Sequence, residues 1–86
     1  MAKIIIYTKN YCPYCTMAKN LLNEKEVVYE ERDITASPAF QKDLEVKNRK
    51  TVPQIIIDDH WIGGYDDISA LDKEGKFISR RIRSIQ

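Results

Sequence analysis

Thiol and imidazole ligands for zinc are scarce in this chain of 86 residues, which has two cysteines and one histidine. Structural zinc almost always takes four ligands, so no metal is expected. Glycine and proline number only three each, and neither repeats nor low-complexity linkers occur. No apolar stretch approaches the roughly 20 residues that span a membrane. Met1-Ala2-Lys3 leads only into a short apolar run that is needed as a strand, so no secretory segment is expected and the expected location is the cytoplasm. Neither charge dominates: the formal net charge is +1, which gives no reason to expect nucleic acid or a membrane surface as a partner. With 43% hydrophobic and 31% charged residues, the composition is that of an ordinary soluble globular protein. The length allows one domain over residues 1–86, with one sheet and helices packed on it.

Both cysteines fall within the stretch Tyr11-Cys12-Pro13-Tyr14-Cys15, between the apolar run Ile4-Ile5-Ile6 and a helix-period segment carrying Met17, Ala18, Leu21 and Leu22. The pair therefore sits where a strand turns into a helix. A Cys-x-x-Cys in that setting resembles the thioredoxin-like redox motif. With Cys12 as the helix cap, its sulfur faces backbone N–H groups that have no partner inside the helix, and the positive end of the macrodipole favours a thiolate. Pro13 then takes the first helical position, where its missing N–H costs nothing. Cys12 is the expected nucleophile, and Cys15, one turn in and more sheltered, the resolving thiol. As half of a zinc site the pair lacks partners. A purely structural disulfide between near neighbours would constrain little of the unfolded chain, and in a reducing compartment a vicinal pair is more often catalytic.

Taken in order, Lys3 to Thr8 has the near-continuous apolar pattern of a strand buried on both faces. A helix is expected from Pro13 to about Lys25. Val27-Val28-Tyr29 with Glu30 to Arg32 should resume extended structure, completing a parallel βαβ unit. Ser37-Pro38 opens a second helix with Phe40 and Leu44 on one face, ending before Asn48. Gln54 to Ile57 is a third apolar run, Asp58-Asp59 a turn, and His60-Trp61-Ile62 the returning arm of a hairpin whose residues read as structural. Asp66 is a candidate cap for a last helix that carries Ile68 and Leu71 and ends at Gly75. Beyond it, Ile78, Ile82 and Ile85 repeat at helical spacing opposite a solvated basic face of Lys76, Arg80, Arg81 and Arg83. The predicted order is βαβ-α-ββ-α.

Three segments, Thr8-Lys9-Asn10-Tyr11-Cys12-Pro13-Tyr14-Cys15, Thr51-Val52-Pro53 and Gly63-Gly64-Tyr65-Asp66-Asp67, resemble the active-site, cis-proline and glutathione-binding motifs of dithiol glutaredoxins. Together they span most of the chain. The resemblance implies an α/β thioredoxin fold, a four-stranded mixed sheet flanked by helices. It also implies a glutathione-dependent thiol-disulfide oxidoreductase that acts on protein disulfides and glutathione mixed disulfides, with glutathione as a loosely bound co-substrate. Glutathionylated proteins and ribonucleotide reductase are both compatible with the family as partners, and a monomer is expected.

Carried onto this sequence, the resemblance gives Lys9, Tyr14, Thr51, Val52, Pro53, Gly64, Asp66 and Asp67 to glutathione. The chemistry suits that ligand, which has a carboxylate at each end and an ammonium on its γ-glutamyl end. Lys9 can reach the glycyl carboxylate and favour the Cys12 thiolate. The Val52 backbone, ahead of a cis Pro53, can pair with the cysteinyl part as an added strand would. N–H groups of Asp66 and Asp67 can bind the γ-glutamyl carboxylate while the Asp67 side chain takes the ammonium. Tyr14 forms a wall of the groove. For the glycyl carboxylate, Gln41, Arg49 and Lys50 all qualify. Tyr65 stands where many relatives have a cysteine. Two other readings compete. A redoxin served by thioredoxin reductase would resemble Trp-Ser-Gly-Phe-Arg-Pro where this chain has Trp61-Ile62-Gly63-Gly64-Tyr65-Asp66. An iron–sulfur carrier dimer would usually lack a proline such as Pro13 between the cysteines.

Overall fold

A computed structural model describes residues 3–74. Gly75 as a helix end and the basic tail of residues 76–86 lie outside the described residues. The elements run β1 (Ile4–Thr8), α1 (Pro13–Glu24), β2 (Glu30–Asp33), α2 (Pro38–Val46), β3 (Gln54–Ile57), β4 (His60–Gly63) and α3 (Tyr65–Lys73). This is the predicted order. The strands form one sheet in the order β2-β1-β3-β4, with β1 parallel to β2 and antiparallel to β3, and β3 antiparallel to β4. The arrangement is that of a thioredoxin fold.

Strand alternation divides the core in two. Ile4, Ile6, Ile55 and Ile57 point to one face, where Ala18 and Leu22 of α1 and Ile68 of α3 cover them. Ile5, Tyr7 and Ile56 point to the other, beneath Leu44 of α2, with Phe40, Val52 and Trp61 at the margin. Each fully buried aliphatic side chain contributes roughly 1.5–3 kcal/mol. Because the period is two, a one-residue slip between β1 and β3 would exchange the two sets.

Shortage of glycine shows in the turns. Among the described residues five non-glycine positions, Tyr11, Glu26, Asn48, Asp58 and Asp59, adopt positive φ. Asp58 and Asp59, at φ 50° and 69°, make the two-residue hairpin between β3 and β4, a turn that needs left-handed backbone at both central positions. Asn48, at φ 56°, ends α2: its N–H bonds to Glu45 O at 3.0 Å and that of Arg49 to Leu44 O at 2.8 Å. That pair of bonds satisfies the last helical carbonyls and fixes the direction in which the chain leaves.

The same device shortens the second strand relative to its apolar pattern. Glu26 takes φ 56° and the Val27 N–H bonds back to Leu22 O at 3.4 Å, closing α1. Val27 is buried in the core and Val28 is 85% exposed. The β1–β2 ladder therefore starts only at Glu30, paired with Ile5.

A polar cluster lies behind the sheet. The Tyr7 hydroxyl donates to Asp43 Oδ2 at 2.9 Å and accepts from Arg32 Nη1 at 2.8 Å. Burial raises the Tyr7 pKa, opposed by the bond from Arg32 and helped by that to Asp43. A raised folded pKa means that the native state holds the proton longer. The associated stability is complete below the ordinary tyrosine value and is lost as pH rises through the folded one. Of the five tyrosines, Tyr7 is expected to ionise last in an ultraviolet titration, accompanied by alkaline loss of stability that Tyr7→Phe removes.

Candidate active site

Cys12 is the N-cap of α1, in extended conformation at φ −115° and ψ 101°, with Pro13 directly after it. Its sulfur accepts the Cys15 N–H at 3.2 Å, and its carbonyl accepts the Thr16 N–H at 3.1 Å. One otherwise orphaned donor of the first turn is thus aimed at the sulfur. Cys12 and Cys15 form a disulfide with Cα atoms 5.2 Å apart. Cys15 is 2% exposed, while Cys12 remains half-buried at the surface. Of the two sulfurs, that of Cys12 is therefore the one at the surface.

β1 delivers Cys12 to the end of the sheet where β3 begins. Tyr7 pairs with Gln54 across the two strands, which sets the loop before β3 beside the redox pair. The Val52–Pro53 peptide bond is cis, as the resemblance implies, and Cys12 Sγ lies 3.8 Å from the Val52 carbonyl oxygen.

From that carbonyl a cleft of about 400 Å³ runs to the start of α3. Thr51, Val52 and Pro53 form its floor, Gly64, Asp66 and Asp67 its far end, and Tyr14 and Tyr65 one wall, with ring centroids 6.4 Å apart. Seven of the eight residues assigned to glutathione thus meet in one place. Lys9, the eighth, lies outside it. It lines two adjoining cavities, one of about 500 Å³ with Cys12 and Cys15, the other of about 490 Å³ with Gln41, Arg49, Lys50, Thr51 and Val52. All three candidates for the glycyl carboxylate therefore share that second space, and only Arg49 also lines the cleft.

The start of α3 departs from expectation. Its cap is Gly64, not Asp66. Asp67 Oδ2 accepts the Gly64 N–H at 2.9 Å, and the Asp67 N–H donates to Gly64 O at 3.1 Å. The acidic side chain reaches back over the first turn and satisfies the glycine's donor, as in a capping box, so no side-chain cap is needed at Asp66. The Asp67 N–H is consequently engaged, and the Asp66 N–H has no acceptor among the described residues. Gly63 makes room for this arrangement. It sits at φ 125°, and a Cβ there would collide with the Asp67 carboxylate.

Three further residues of the cleft, Gly63, Tyr65 and Gln54, are not among those assigned to glutathione from the sequence. Tyr65, marked in the sequence only as the replacement of a cysteine, stands between Gly64 and Asp66 in the motif and lines the cleft with them. Gln54 is marked in the sequence only as the start of a strand. It is 5% exposed, lines the cleft, and donates from Nε2 to Thr51 Oγ1 at 3.3 Å.

A vicinal cysteine pair capping the first helix of a four-stranded mixed sheet, beside a cis proline, defines a redox protein of the thioredoxin superfamily. The family model "Glutaredoxin" matches residues 4–62. Glutaredoxin 1 of Rickettsia bellii is 50% identical over 78 residues, covering 85% of this chain and 80% of its own. The solution structure of a glutaredoxin from Brucella melitensis superposes with a TM-score of 0.76 at 44% identity, covering 88% of this chain and 84% of that one. A buckwheat glutaredoxin–glutathione complex gives a TM-score of 0.79 at 26% identity, over 88% and 73%. The chain belongs to the glutaredoxin family. With its Cys12-Pro13-Tyr14-Cys15 pair it is a dithiol glutaredoxin, a glutathione-dependent thiol-disulfide oxidoreductase. Among the described residues no group of three or more His, Cys, Asp or Glu side chains could hold a metal, and no helix is long and apolar enough to cross a membrane.

Proposed function

We propose that Cys12 is the attacking thiolate and that the cleft from Val52 to Asp67 seats the glutathionyl group of the substrate. The observation that carries this reading is the position of Cys12 Sγ, on a helix N-terminus and 3.8 Å from the Val52 carbonyl at the mouth of that cleft. Glutathione lying there places its cysteinyl backbone against Val52. Its γ-glutamyl carboxylate reaches the N–H groups that begin α3, and its ammonium the Asp67 carboxylate. Its glycyl carboxylate turns toward Arg49, with Lys9 and Lys50 adding positive charge nearby. The buckwheat relative was crystallised with glutathione, and the present cleft has the charges to receive the same ligand.

The chemistry follows from these positions. Cys12 thiolate attacks the glutathionyl sulfur of a protein mixed disulfide; that S–S bond breaks, and the protein's sulfur leaves as a thiolate that takes up a proton. The new Cys12–glutathione disulfide is resolved in one of two ways. A second glutathione attacks and leaves as glutathione disulfide, or Cys15 attacks, releases glutathione and forms the Cys12–Cys15 disulfide, which two further glutathiones reduce. On a protein disulfide Cys12 opens the bond and Cys15 completes the exchange. A cytoplasmic monomer of one domain, with glutathionylated or disulfide-containing proteins such as ribonucleotide reductase as partners, fits this reading.

Alkylation by iodoacetamide, followed by mass spectrometry on the reduced protein, tests the assignment. One fast site is expected near neutral pH, where a free cysteine with pKa of about 8.5 is almost all thiol, and the label should sit on Cys12. A fast label on Cys15 would reverse the roles. Turnover of a glutathione mixed disulfide with glutathione, glutathione reductase and NADPH, and none with thioredoxin reductase, tests the reductant.

A further inference from the structure

Two guanidinium groups bracket a pair of stacked rings behind the sheet. Trp61, at the edge in β4, lies parallel to Tyr7 in β1, with centroids 5.6 Å apart and planes 16° from one another. Arg32 Cζ sits 5.6 Å from the Tyr7 ring, and Arg49 Cζ 5.8 Å from the Trp61 ring. The two cations differ in what else they hold. Arg32 is paired with Glu30 and Asp43 and donates to the Tyr7 hydroxyl. Arg49 has no carboxylate partner among the described residues, and it lines both the glutathione cleft and the cavity beside it. Its backbone is fixed by the bond that closes α2. What remains to be ordered is the side chain, and the indole face is what it lies on.

We propose that Trp61 is a positioning residue for glutathione recognition: it holds Arg49 in place to receive the glycyl carboxylate, and it is itself held by Tyr7 and the Arg32–Asp43 clamp. An arginine has high rotamer entropy, and its planar fork binds a carboxylate best when little of that freedom remains to be lost. A flat indole supplies the surface on which it rests, with the ring quadrupole attracting the cation. The inference rests on the assignment of Arg49 to the glycyl end.

Steady-state kinetics on a glutathionylated peptide, in the full chain, tests both. Arg49→Gln is expected to raise KM. Trp61→Leu is expected to raise KM by about two- to fivefold, the range that a partly exposed cation–π contact spans, with kcat and the Cys12 alkylation rate unchanged. Trp61→Phe, which keeps a ring, should restore most of the affinity. In the Arg49→Gln background Trp61→Leu should add nothing. An equal rise in that background, or no rise from Trp61→Leu while Arg49→Gln has one, overturns the role of Trp61 and leaves Arg49 standing. No rise from Arg49→Gln overturns the assignment of Arg49 and the inference with it.

A second readout needs no substitution at position 61. Trp61 is the only tryptophan, so its emission reports on Arg49. In Cys15→Ser protein, glutathionylation of Cys12 is expected to shift that emission, and Arg49→Gln to abolish the shift. The same shift with glutamine at position 49 would overturn the coupling.

Discussion

Cys15→Ser protein is expected to keep its activity on a glutathionylated peptide while losing reduction of an intramolecular protein disulfide by roughly two orders of magnitude or more, because a thiol held in place acts at an effective molarity far above that of free glutathione. The first reaction can be finished by a second glutathione arriving through the open cleft. The second leaves Cys12 joined to the protein substrate, where the thiol able to release it is the one beneath. Cys15 occupies that place, one helical turn in and 2% exposed, within disulfide reach of Cys12. Cys12→Ser should abolish both activities. The measurement is a pair of coupled assays on the same preparation. Equal losses for Cys15→Ser in the two would mean that resolution always runs through Cys15 and that glutathione does not reach the intermediate.

Asp67 is expected to show two separable effects, because its carboxylate has two oxygens with different duties. Oδ2 accepts the Gly64 N–H, and Oδ1, with no partner among the described residues, is the atom left for the glutathione ammonium in the proposed pose. Asp67→Asn keeps an acceptor for Gly64 and removes the charge. A charge-assisted hydrogen bond is worth about 1.5–3 kcal/mol before solvent exposure reduces it, so KM for a glutathionyl substrate should rise roughly tenfold or more. Thermal stability should stay close to that of the parent. Asp67→Ala should weaken binding as much and in addition lower stability by about 1 kcal/mol, the usual cost of losing a helix cap. Neither change should slow Cys12 alkylation, since the thiolate depends on a different helix end. A KM that rises for alanine but not for asparagine would make Asp67 a structural residue alone.

Much of this was legible in the residues because it is local or periodic. The Cys12-to-Cys15 spacing, the proline after the cap, and the near-continuous apolar runs of Ile4 to Tyr7 and Gln54 to Ile57 follow from what one buried strand or one turn of helix requires. Asp58-Asp59 announced the hairpin for the same reason. The start of α3 was harder. Two adjacent aspartates after two glycines offer several caps, and the one adopted depends on Asp67 folding back over Gly63, which has no side chain to obstruct it. Val27 departs from the expected strand because apolar character marks burial without saying whether a strand or a helix end buries it. The ring stack could not be read at all: Tyr7, Trp61 and Arg49 come from β1, β4 and the loop after α2. Only the strand order brings them together.

The redox pair and the helix that closes the far end of the cleft have unequal anchorage. α1 buries Cys15, Ala18 and Leu22 against the sheet, whereas α3, within the described residues, buries Ile68 alone and rests Leu71 and Tyr65 on the core edge. Free energies of local opening follow such differences in buried contact. Amide hydrogen exchange should therefore release α3 at a lower cost than α1 and β1. In that partly open form Tyr65, Asp66 and Asp67 leave the cleft while Cys12 stays on its helix end. With glutathione seated as proposed, the molecule would then keep its chemistry and lose its discrimination, accepting any disulfide that reaches it. Destabilisation confined to α3 would surface first as promiscuity toward small disulfides, well before inactivation.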